Sequence, residues 1–313
     1  MTGRRAAAGL DARSLRLAMV GTLQVALTLL LLGLVVAQWG LSPFTTAARS
    51  LPWWAVVGGV ALGGFGVLAQ ALRWRLIARH QQIHVPVGPA LARCWQAAFL
   101  NGVLPGGLAG DALRAADDSS DAQVEDGRRA LASGFAAVAA ERLSGTTVVL
   151  VAAATALLPF LPLVAVACLA GALVTGAVAW RWLRRLSVVD LLAVVLLSVA
   201  GWAAFVAMFV LAVAVVAPQV EVSLGPSLGA VAVAAMSVPA TVGGWGTREA
   251  AAGWIFMVRG LDMGTGVTVS IGYGILALLS TVPGAVILAL RAAPRAREAG
   301  RARRRRQHAR LTP

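Results

Sequence analysis

The sequence predicts an all-α membrane protein with about six membrane-spanning helices and two shorter, broken helical hairpins. Hydrophobic residues make up 59% of the 313 residues and charged residues only 13%, and the mean hydropathy is +0.80. Several apolar runs are long enough to cross a hydrocarbon layer of ~30 Å, which needs roughly 20 residues. Glycine and proline interrupt two further apolar segments. Together these observations exclude an ordinary soluble globule.

Six uninterrupted apolar runs carry the prediction of membrane spans. Because several runs follow the first one, and no small-residue cleavage site ends it, that run is not read as a cleaved signal peptide. Tryptophans near the ends of the runs are typical of interfacial belts. We expect helices to cross at residues 17–39, 53–72, 129–158, 160–180, 188–217 and 265–290.

Two other segments are apolar but broken. Residues 86–104 lead into NGVLPGGLAGD, and residues 225–258 contain PATVGGWG. Backbone groups freed by such a break find no water in hydrocarbon, so the break is tolerated only where protein or a polar cavity satisfies them. The breaks follow the second and the fifth span, and they enter from opposite sides. This order predicts two opposed re-entrant hairpins that meet near the midplane, and it suggests an inverted repeat.

The arginines predict the topology. The chain has 27 basic residues, all of them arginine, and a formal net charge of +14. With six spans, 23 arginines fall on the side that holds both termini, whereas eight full spans would weaken this asymmetry. The positive-inside rule therefore predicts a multi-pass protein of the plasma membrane with both termini in the cytoplasm.

The predicted domain organisation has three parts. A basic cytoplasmic N-terminus, residues 1–16, precedes a single transmembrane domain, residues 17–290. An arginine-rich cytoplasmic tail, residues 291–313, follows, and we expect it to be disordered and solvated near anionic headgroups. Nucleic acid is not expected as a partner. The two cysteines and three histidines lack metal-ligand spacing, so neither a metal nor another cofactor is expected. The oligomeric state stays open.

Three pairs of one acid and one base lie at or near the breaks: Asp111 with Arg114, Glu141 with Arg142, and Arg248 with Glu249. An isolated charge at the bilayer centre costs roughly 2.5–3.5 kcal/mol. The four charges of the second and third pairs would together cost about 10–14 kcal/mol, as much as the stability of a whole domain. They must therefore be paired or hydrated. Because neighbours on a helix point about 100° apart, Glu141 is expected to bridge to Arg248 or to Arg114.

Glycine-rich turns followed by helix starts suit an anion. We expect helices to begin near Asp111, after GGLAG, and near Thr247, after GGWG, with Thr247 as the N-cap. A helix N-terminus offers free N–H groups and a positive dipole end, and arginine binds phosphate bidentately. The pattern predicts a site for a phosphate-bearing headgroup. The structural alternative is that these charges only lock helices together.

Three motifs resemble the signature regions of the flippase-like family, which includes the transmembrane part of lysylphosphatidylglycerol synthases. They are FLNGVLPGGLAGDALRA (99–115), AERLSG (140–145) and SVPATVGGWGTREAA (237–251). The resemblance covers roughly residues 15–290 and implies lipid binding or lipid translocation. After residue 290 we expect no counterpart of the soluble aminoacyl-transfer domain of the synthases, so synthase activity is not expected. The identity of the lipid stays open.

Two other functions compete with lipid transport. An ion-coupled transporter of small solutes would also use a broken-helix site, with Glu141 or Glu249 carrying protons. DDSSD (117–121) has the spacing of a magnesium-binding motif, which would indicate an enzyme acting on lipid phosphates. A second Asp-rich segment is missing, and no Ser/His/Asp or Cys/His arrangement suits covalent catalysis. The sequence therefore favours a transporter over an enzyme.

The resulting hypothesis is a lipid transporter that holds the anionic headgroup of a membrane lipid, of the phospholipid or polyprenyl-phosphate type, near the middle of the bilayer. The arginines expected to contact the phosphate or its cytoplasmic entrance are Arg248, Arg142 and Arg114. The acids expected to orient them, or to bind a cationic group of the lipid, are Asp111, Glu141 and Glu249. The residues expected to form the turns or satisfy freed backbone groups are Asn101, Gly106, Gly107, Gly243, Gly244, Gly246 and Thr247.

Overall fold

All regular structure in the described residues is helical, as predicted. The computed structural model describes residues 2–105, 109–121, 126–237 and 240–292, with side chains from residue 19 onward except those of residues 20, 120 and 121. The α-helices are α1 (Thr2–Trp39), α2 (Ser42–Ser50), α3 (Trp53–Arg79), α4 (Val87–Val103), α5 (Ala109–Asp121), α6 (Gly127–Leu157), α7 (Pro162–Leu183), α8 (Val188–Val216), α9 (Gly225–Met236), α10 (Thr247–Val258) and α11 (Met263–Ser280). After a turn at Thr281, residues 282–292 continue the direction of α11 as helix.

Six stretches of helix are long and apolar enough to cross a membrane, which confirms the predicted number of spans. They are Gly21–Trp39, Trp53–Arg79, Gly127–Leu157, Pro162–Leu183, Val188–Val216 and Met263–Ala292. The predicted end of the second span at residue 72 was wrong, because α3 continues for two more turns to Arg79. The predicted N-terminal segment 1–16 belongs, from Thr2, to the same helix as the first span. The predicted tail from residue 293 lies outside the described residues.

Local sequence explains where several helices begin. The side chains of Asp126, Ser187 and Asp262 accept hydrogen bonds from backbone N–H groups in the first turns of α6, α8 and α11. Each of these caps satisfies a donor that has no partner inside its helix. The short helix α2, which lies between the first two spans, is not predicted by the apolar runs. Its Ala47 is buried against Val267 of α11.

Small residues allow the spanning helices to approach closely. A Cβ at Gly66 of α3 would lie 3.0 Å from the ring of Phe205 on α8, and one at Gly59 would lie 2.9 Å from Leu276 on α11. Such contacts are typical of helices in membranes, where association depends on packing rather than on expulsion of water. The largest buried cluster joins α8, α9, α10 and α11 with α6 and α7, around Phe209, Phe256 and Tyr273.

The helix ends gather at two opposite faces. At one face, His80 Nε2 lies 3.3 Å from Asp190 Oδ2, so the end of α3 meets the start of α8. We call this face the arginine-rich end, because the arginines on the adjoining turns are Arg75, Arg79, Arg128, Arg129, Arg181, Arg184, Arg185 and Arg291. At the opposite, arginine-poor end, Arg259 donates to Ser227 Oγ at 3.0 Å. Besides Arg259, the described arginine at that end is Arg49.

Two helical hairpins project from these opposite ends. The helices α4 and α5 run antiparallel from the arginine-rich end, where Arg93 Nη1 donates to Asp118 Oδ1 at 3.1 Å. The helices α9 and α10 run antiparallel from the arginine-poor end, where the Arg259–Ser227 hydrogen bond joins their bases. The two tips touch inside the molecule. A Cβ at Gly243 in the second tip would lie only 2.4 Å from the Gly102 carbonyl oxygen in the first.

Candidate functional site

A cluster of ionised side chains lies directly below the first hairpin tip. Glu141 of α6 is fully buried and accepts hydrogen bonds from two arginines. Arg73 of α3 donates to Oε1 through Nε at 3.1 Å and also through Nη2, and Arg114 of α5 donates to Oε2 at 2.8 Å. Arg73 further donates to Ser198 Oγ on α8 at 3.0 Å. The carboxylate therefore ties α6 to α3 and α5 directly, and to α8 through Arg73.

The neighbouring pair, Asp111 and Arg142, extends this cluster towards the surface. Arg142 Nη2 lies 2.7 Å from Asp111 Oδ2, and Arg114 Nη2 lies 3.8 Å from Asp111 Oδ1. The side chain of Arg142 is 41% exposed, whereas that of Asp111 is 6% exposed. Arg142 shares its helical face with the exposed side chains of Leu131 and Phe135, eleven and seven residues earlier. The guanidinium is therefore reachable from a face that is otherwise apolar.

The cluster carries more positive than negative charge. We call it the Glu141 cluster, and its ionised members are Arg73, Arg114, Arg142, Asp111 and Glu141. Three guanidinium groups thus face two carboxylates. Among the described residues, nothing accepts a hydrogen bond from Nε of Arg114 or Nε of Arg142. A buried donor without an acceptor is costly, by about 1–3 kcal/mol. Both carboxylate oxygens of Asp111 also lack a well-directed hydrogen-bond donor in the part of the chain that the structure describes. An anion beside the arginines would supply the missing charge and the acceptors that the two Nε groups lack.

The second cluster lies at the tip of the other hairpin and is electrically complete. Arg248 donates to Glu249 Oε1 through Nε at 3.0 Å and through Nη2 at 2.5 Å. Ser270 Oγ on α11 joins both residues, at 3.1 and 3.2 Å. The guanidinium carbon lies 4.6 Å from the ring centroid of Trp245 and 5.2 Å from that of Tyr273. In this Arg248 cluster the side chain of Arg248 is only 2% exposed.

Glycines with positive φ shape the second tip. Gly243, Gly244 and Gly246 have φ of 58°, 76° and 89°, a region that side chains other than glycine rarely adopt. The Gly246 N–H donates to Glu249 Oε2 at 2.6 Å, so Glu249 also anchors the start of α10. The predicted N-cap at Thr247 was wrong by one residue. Gly246 occupies the cap position, and Thr247 Oγ1 instead donates to the Gly244 carbonyl at 3.1 Å.

The first tip is described only in part. Asn101 Oδ1 accepts a hydrogen bond from the Gly110 N–H at 2.8 Å and so satisfies a backbone group at the start of α5, in the way the sequence predicts. The predicted turn residues Gly106 and Gly107 lie outside the described residues. The first helix contacts both tips, because Val242 N–H donates to Thr28 Oγ1 at 2.9 Å and a Cβ at Gly21 would lie 3.8 Å from Pro105.

Two aspartates of the DDSSD segment, whose side chains the structure describes, bind arginines. Asp118 pairs with Arg93 at 3.1 Å, and Asp117 pairs with Arg291 at 2.9 Å. Arg291 also donates to Gln96 Oε1 at 2.7 Å, so the helix that follows Thr281 is tied to the first hairpin. In the described parts of the chain, no group of three or more His, Cys, Asp or Glu side chains could hold a metal ion.

Several cluster residues were not found from the sequence. The predicted second span ends at residue 72 and so leaves out Arg73, whereas α3 continues to Arg79. Ser198 is the single hydroxyl residue of the long apolar helix α8, whereas Ser270 is one of several hydroxyl residues in α11. The isolation of Ser198 is the signal that could have found it, since a lone serine in a spanning helix often bonds a neighbouring helix. Of the two partners predicted for Glu141, the structure selects Arg114.

The fold and these buried clusters define a multi-span helical integral membrane protein. The chain matches the family described as "Lysylphosphatidylglycerol synthase TM region" over residues 21–189, which is more than half of its length, and it belongs to that family. The match includes the first two motifs of the sequence analysis and ends before the third. No curated protein matches the chain significantly.

Proposed function

We propose that the protein moves a membrane lipid with an anionic headgroup from one leaflet to the other, and that it acts as a transporter rather than as an enzyme. The observation that carries the proposal is the unbalanced charge of the Glu141 cluster. A phosphate group would restore neutrality and accept the guanidinium N–H groups that lack acceptors. Membership of a lipid-related family supports the same conclusion.

The two hairpins are proposed to be re-entrant. Their helices contain 17, 13, 12 and 12 residues. At ~1.5 Å per residue they are about 18–26 Å long, which is shorter than a hydrocarbon layer of ~30 Å. They start at opposite ends and meet tip to tip, so each would enter the bilayer from one side and return to that side. Irregular backbone at that depth is tolerated where protein surrounds it.

An inverted repeat is proposed from the packing of the helices. In the first half, α3 packs on α4, α4 on α5, and α5 on α6. In the second half, α8 packs on α9, α9 on α10, and α10 on α11 in the same order, and each helix runs opposite to its counterpart. Transporters with this architecture place the substrate where the two repeats meet and expose it to each side in turn. Here the Glu141 and Arg248 clusters lie on the two sides of that junction.

The arginine-rich end is proposed to face the cytoplasm. The described arginines near the helix ends favour it strongly, and cytoplasmic loops carry an excess of positive charge. This orientation puts the base of the α4–α5 hairpin and both termini in the cytoplasm of a plasma-membrane protein. The Glu141 cluster then lies in the cytoplasmic half of the bilayer, because Arg73 is six residues, or about 9 Å, from the end of α3.

The accessible arginine of the cluster is proposed to receive the headgroup. Arg142 shares a helical face with exposed apolar side chains, so a lipid can approach it laterally while its acyl chains stay in hydrocarbon. This approach favours a lipid over a soluble solute. The phosphate would compete with Asp111 for Arg142. Arg114 and Glu141 lie next to this pair and would orient it. Arg248 and Glu249 are paired with each other, so a headgroup contact there requires their separation.

Transport is tested with purified protein in vesicles that contain a fluorescent phosphatidylglycerol, with dithionite added outside to reduce the accessible label. We expect Arg142→Ala to lower the rate of transbilayer movement by roughly tenfold or more, since a charge-assisted hydrogen bond contributes about 1.5–3 kcal/mol. Arg128→Ala is the matched control, because Arg128 is an exposed arginine on the same helix. An unchanged rate for Arg142→Ala argues against the site. Uptake of soluble glycerol phosphate without lipid movement would support the solute transporter instead.

A further inference from the structure

A second feature of α6 lies apart from the charged clusters. A groove of about 840 Å³ opens at the arginine-rich end, between the first three turns of α6 and the end of α7. Its lining residues are Gln81, Arg129, Ala132, Ser133, Phe135, Ala136, Ala139 and Trp182. None of them belongs to the Glu141 or Arg248 cluster.

The groove exists because α6 carries alanine where a larger side chain would fill the space. Ala132, Ala136 and Ala139 extend about 10 Å along the helix. Phe135 and Trp182 also line the groove. The result is an open, largely apolar trough along the start of α6. Of its polar residues, Gln81 and Arg129 lie near helix ends, and Ser133 follows Ala132 on α6.

The charge at the mouth of the groove is positive. The Arg129 side chain is 81% exposed, and so is most of its ion pair with Asp126, at 3.7 Å. Because an exposed ion pair is weak, Asp126 competes poorly with another anion for Arg129. The Arg181 guanidinium carbon lies 4.8 Å from the ring centroid of Trp182 and adds a second cation beside the groove. Basic pockets between helices on the cytoplasmic side of a membrane protein typically bind anionic lipid headgroups.

We propose that this groove is a binding site for one glycerophospholipid with an anionic headgroup, taken from the leaflet at the arginine-rich end. An acyl chain lies on the alanine floor of the groove, beside Phe135 and Trp182. The phosphate lies at the mouth, where Arg129 and Arg181 supply charge and Gln81 and Ser133 supply hydrogen-bond donors. The proposal concerns binding alone, so the site does not depend on the proposed transport function.

The test compares lipid retention by the full chain in detergent, using native mass spectrometry after addition of phosphatidylglycerol or phosphatidylcholine. All variants are made in an Arg142→Ala background, which removes the headgroup contact proposed for the Glu141 cluster. We expect the Arg142→Ala protein to retain phosphatidylglycerol in preference to phosphatidylcholine. Arg129→Ala is expected to lower this retention about fivefold, which is the effect of one arginine near an anionic headgroup. The neighbouring Arg128→Ala, which changes an arginine outside the groove, is expected to leave retention unchanged.

A second variant tests the apolar part of the groove. Ala136→Phe places a ring on the alanine floor and is expected to abolish retention, while gel filtration and helical circular dichroism stay unchanged. Equal retention of both lipids overturns the anionic preference, and displacement by soluble glycerol phosphate overturns a lipid as the occupant. Retention that survives both Arg129→Ala and Ala136→Phe overturns the site. Because binding and not transport is measured, none of these outcomes depends on whether the lipid is translocated.

Discussion

The Glu141 cluster and the Arg248 cluster lie beside the two hairpin tips, yet they differ in charge balance. In the first, three arginines share two carboxylates, and one arginine is 41% exposed. In the second, one arginine and one glutamate neutralise each other between two aromatic rings. Buried charge alone therefore does not identify a ligand site in a membrane protein. A cluster that is incomplete in both charge and hydrogen bonds is the better candidate.

The largest loss of stability is expected when Glu141, whose carboxylate two arginines share, is changed. Glu141→Gln leaves Arg73 and Arg114 buried without their anion, and loss of one partner of a buried ion pair costs about 3–5 kcal/mol. Glu249→Gln leaves only Arg248 without its anion. Because Arg248 keeps its contacts with Ser270 and with the rings of Trp245 and Tyr273, we expect a smaller loss of stability. Thermal unfolding of the detergent-purified variants measures both. Equal unfolding temperatures would mean that the two clusters are energetically alike.

The next largest loss of stability is expected where the two hairpin tips touch, at Gly243. Gly243→Ala forces a side chain into a backbone with φ of 58° and against the Gly102 carbonyl, so we expect a loss of about 1–3 kcal/mol and slower lipid movement. Gly102→Ala is the matched control, because its Cβ would have open space and it lies in helix α4. If both variants unfold at the same temperature, the stability of the protein does not depend on the close approach of the two tips.

The smallest effect is expected when both members of the Arg248 pair are changed together. Arg248→Met with Glu249→Gln removes the charge but keeps the volume, and such replacements are often nearly neutral, within about 1 kcal/mol. We expect this double variant to be more stable than Glu249→Gln alone and to move lipid normally. A stable double variant that moves no lipid would instead assign Arg248 the headgroup contact that the sequence predicts.

The sequence alone determined the fold class, the number of spans and the family. These properties are local, since hydropathy along the chain marks each spanning helix and glycine and proline mark each break. The same local signals located Asn101, Arg114 and Glu141 near the first break. The re-entrant course of the hairpins and the inverted repeat stay predictions that the helix lengths and helix packing support.

Only the tertiary structure decided which charges meet. Glu141 binds Arg73 across 68 residues of sequence, and Arg73 binds Ser198 across 125. No periodicity records such a pairing, because it depends on which faces of α3, α6 and α8 pack together. The same packing leaves Arg142 exposed and buries Arg248. Long-range neighbours therefore set the charge balance of each cluster, and with it the place where an anion can bind.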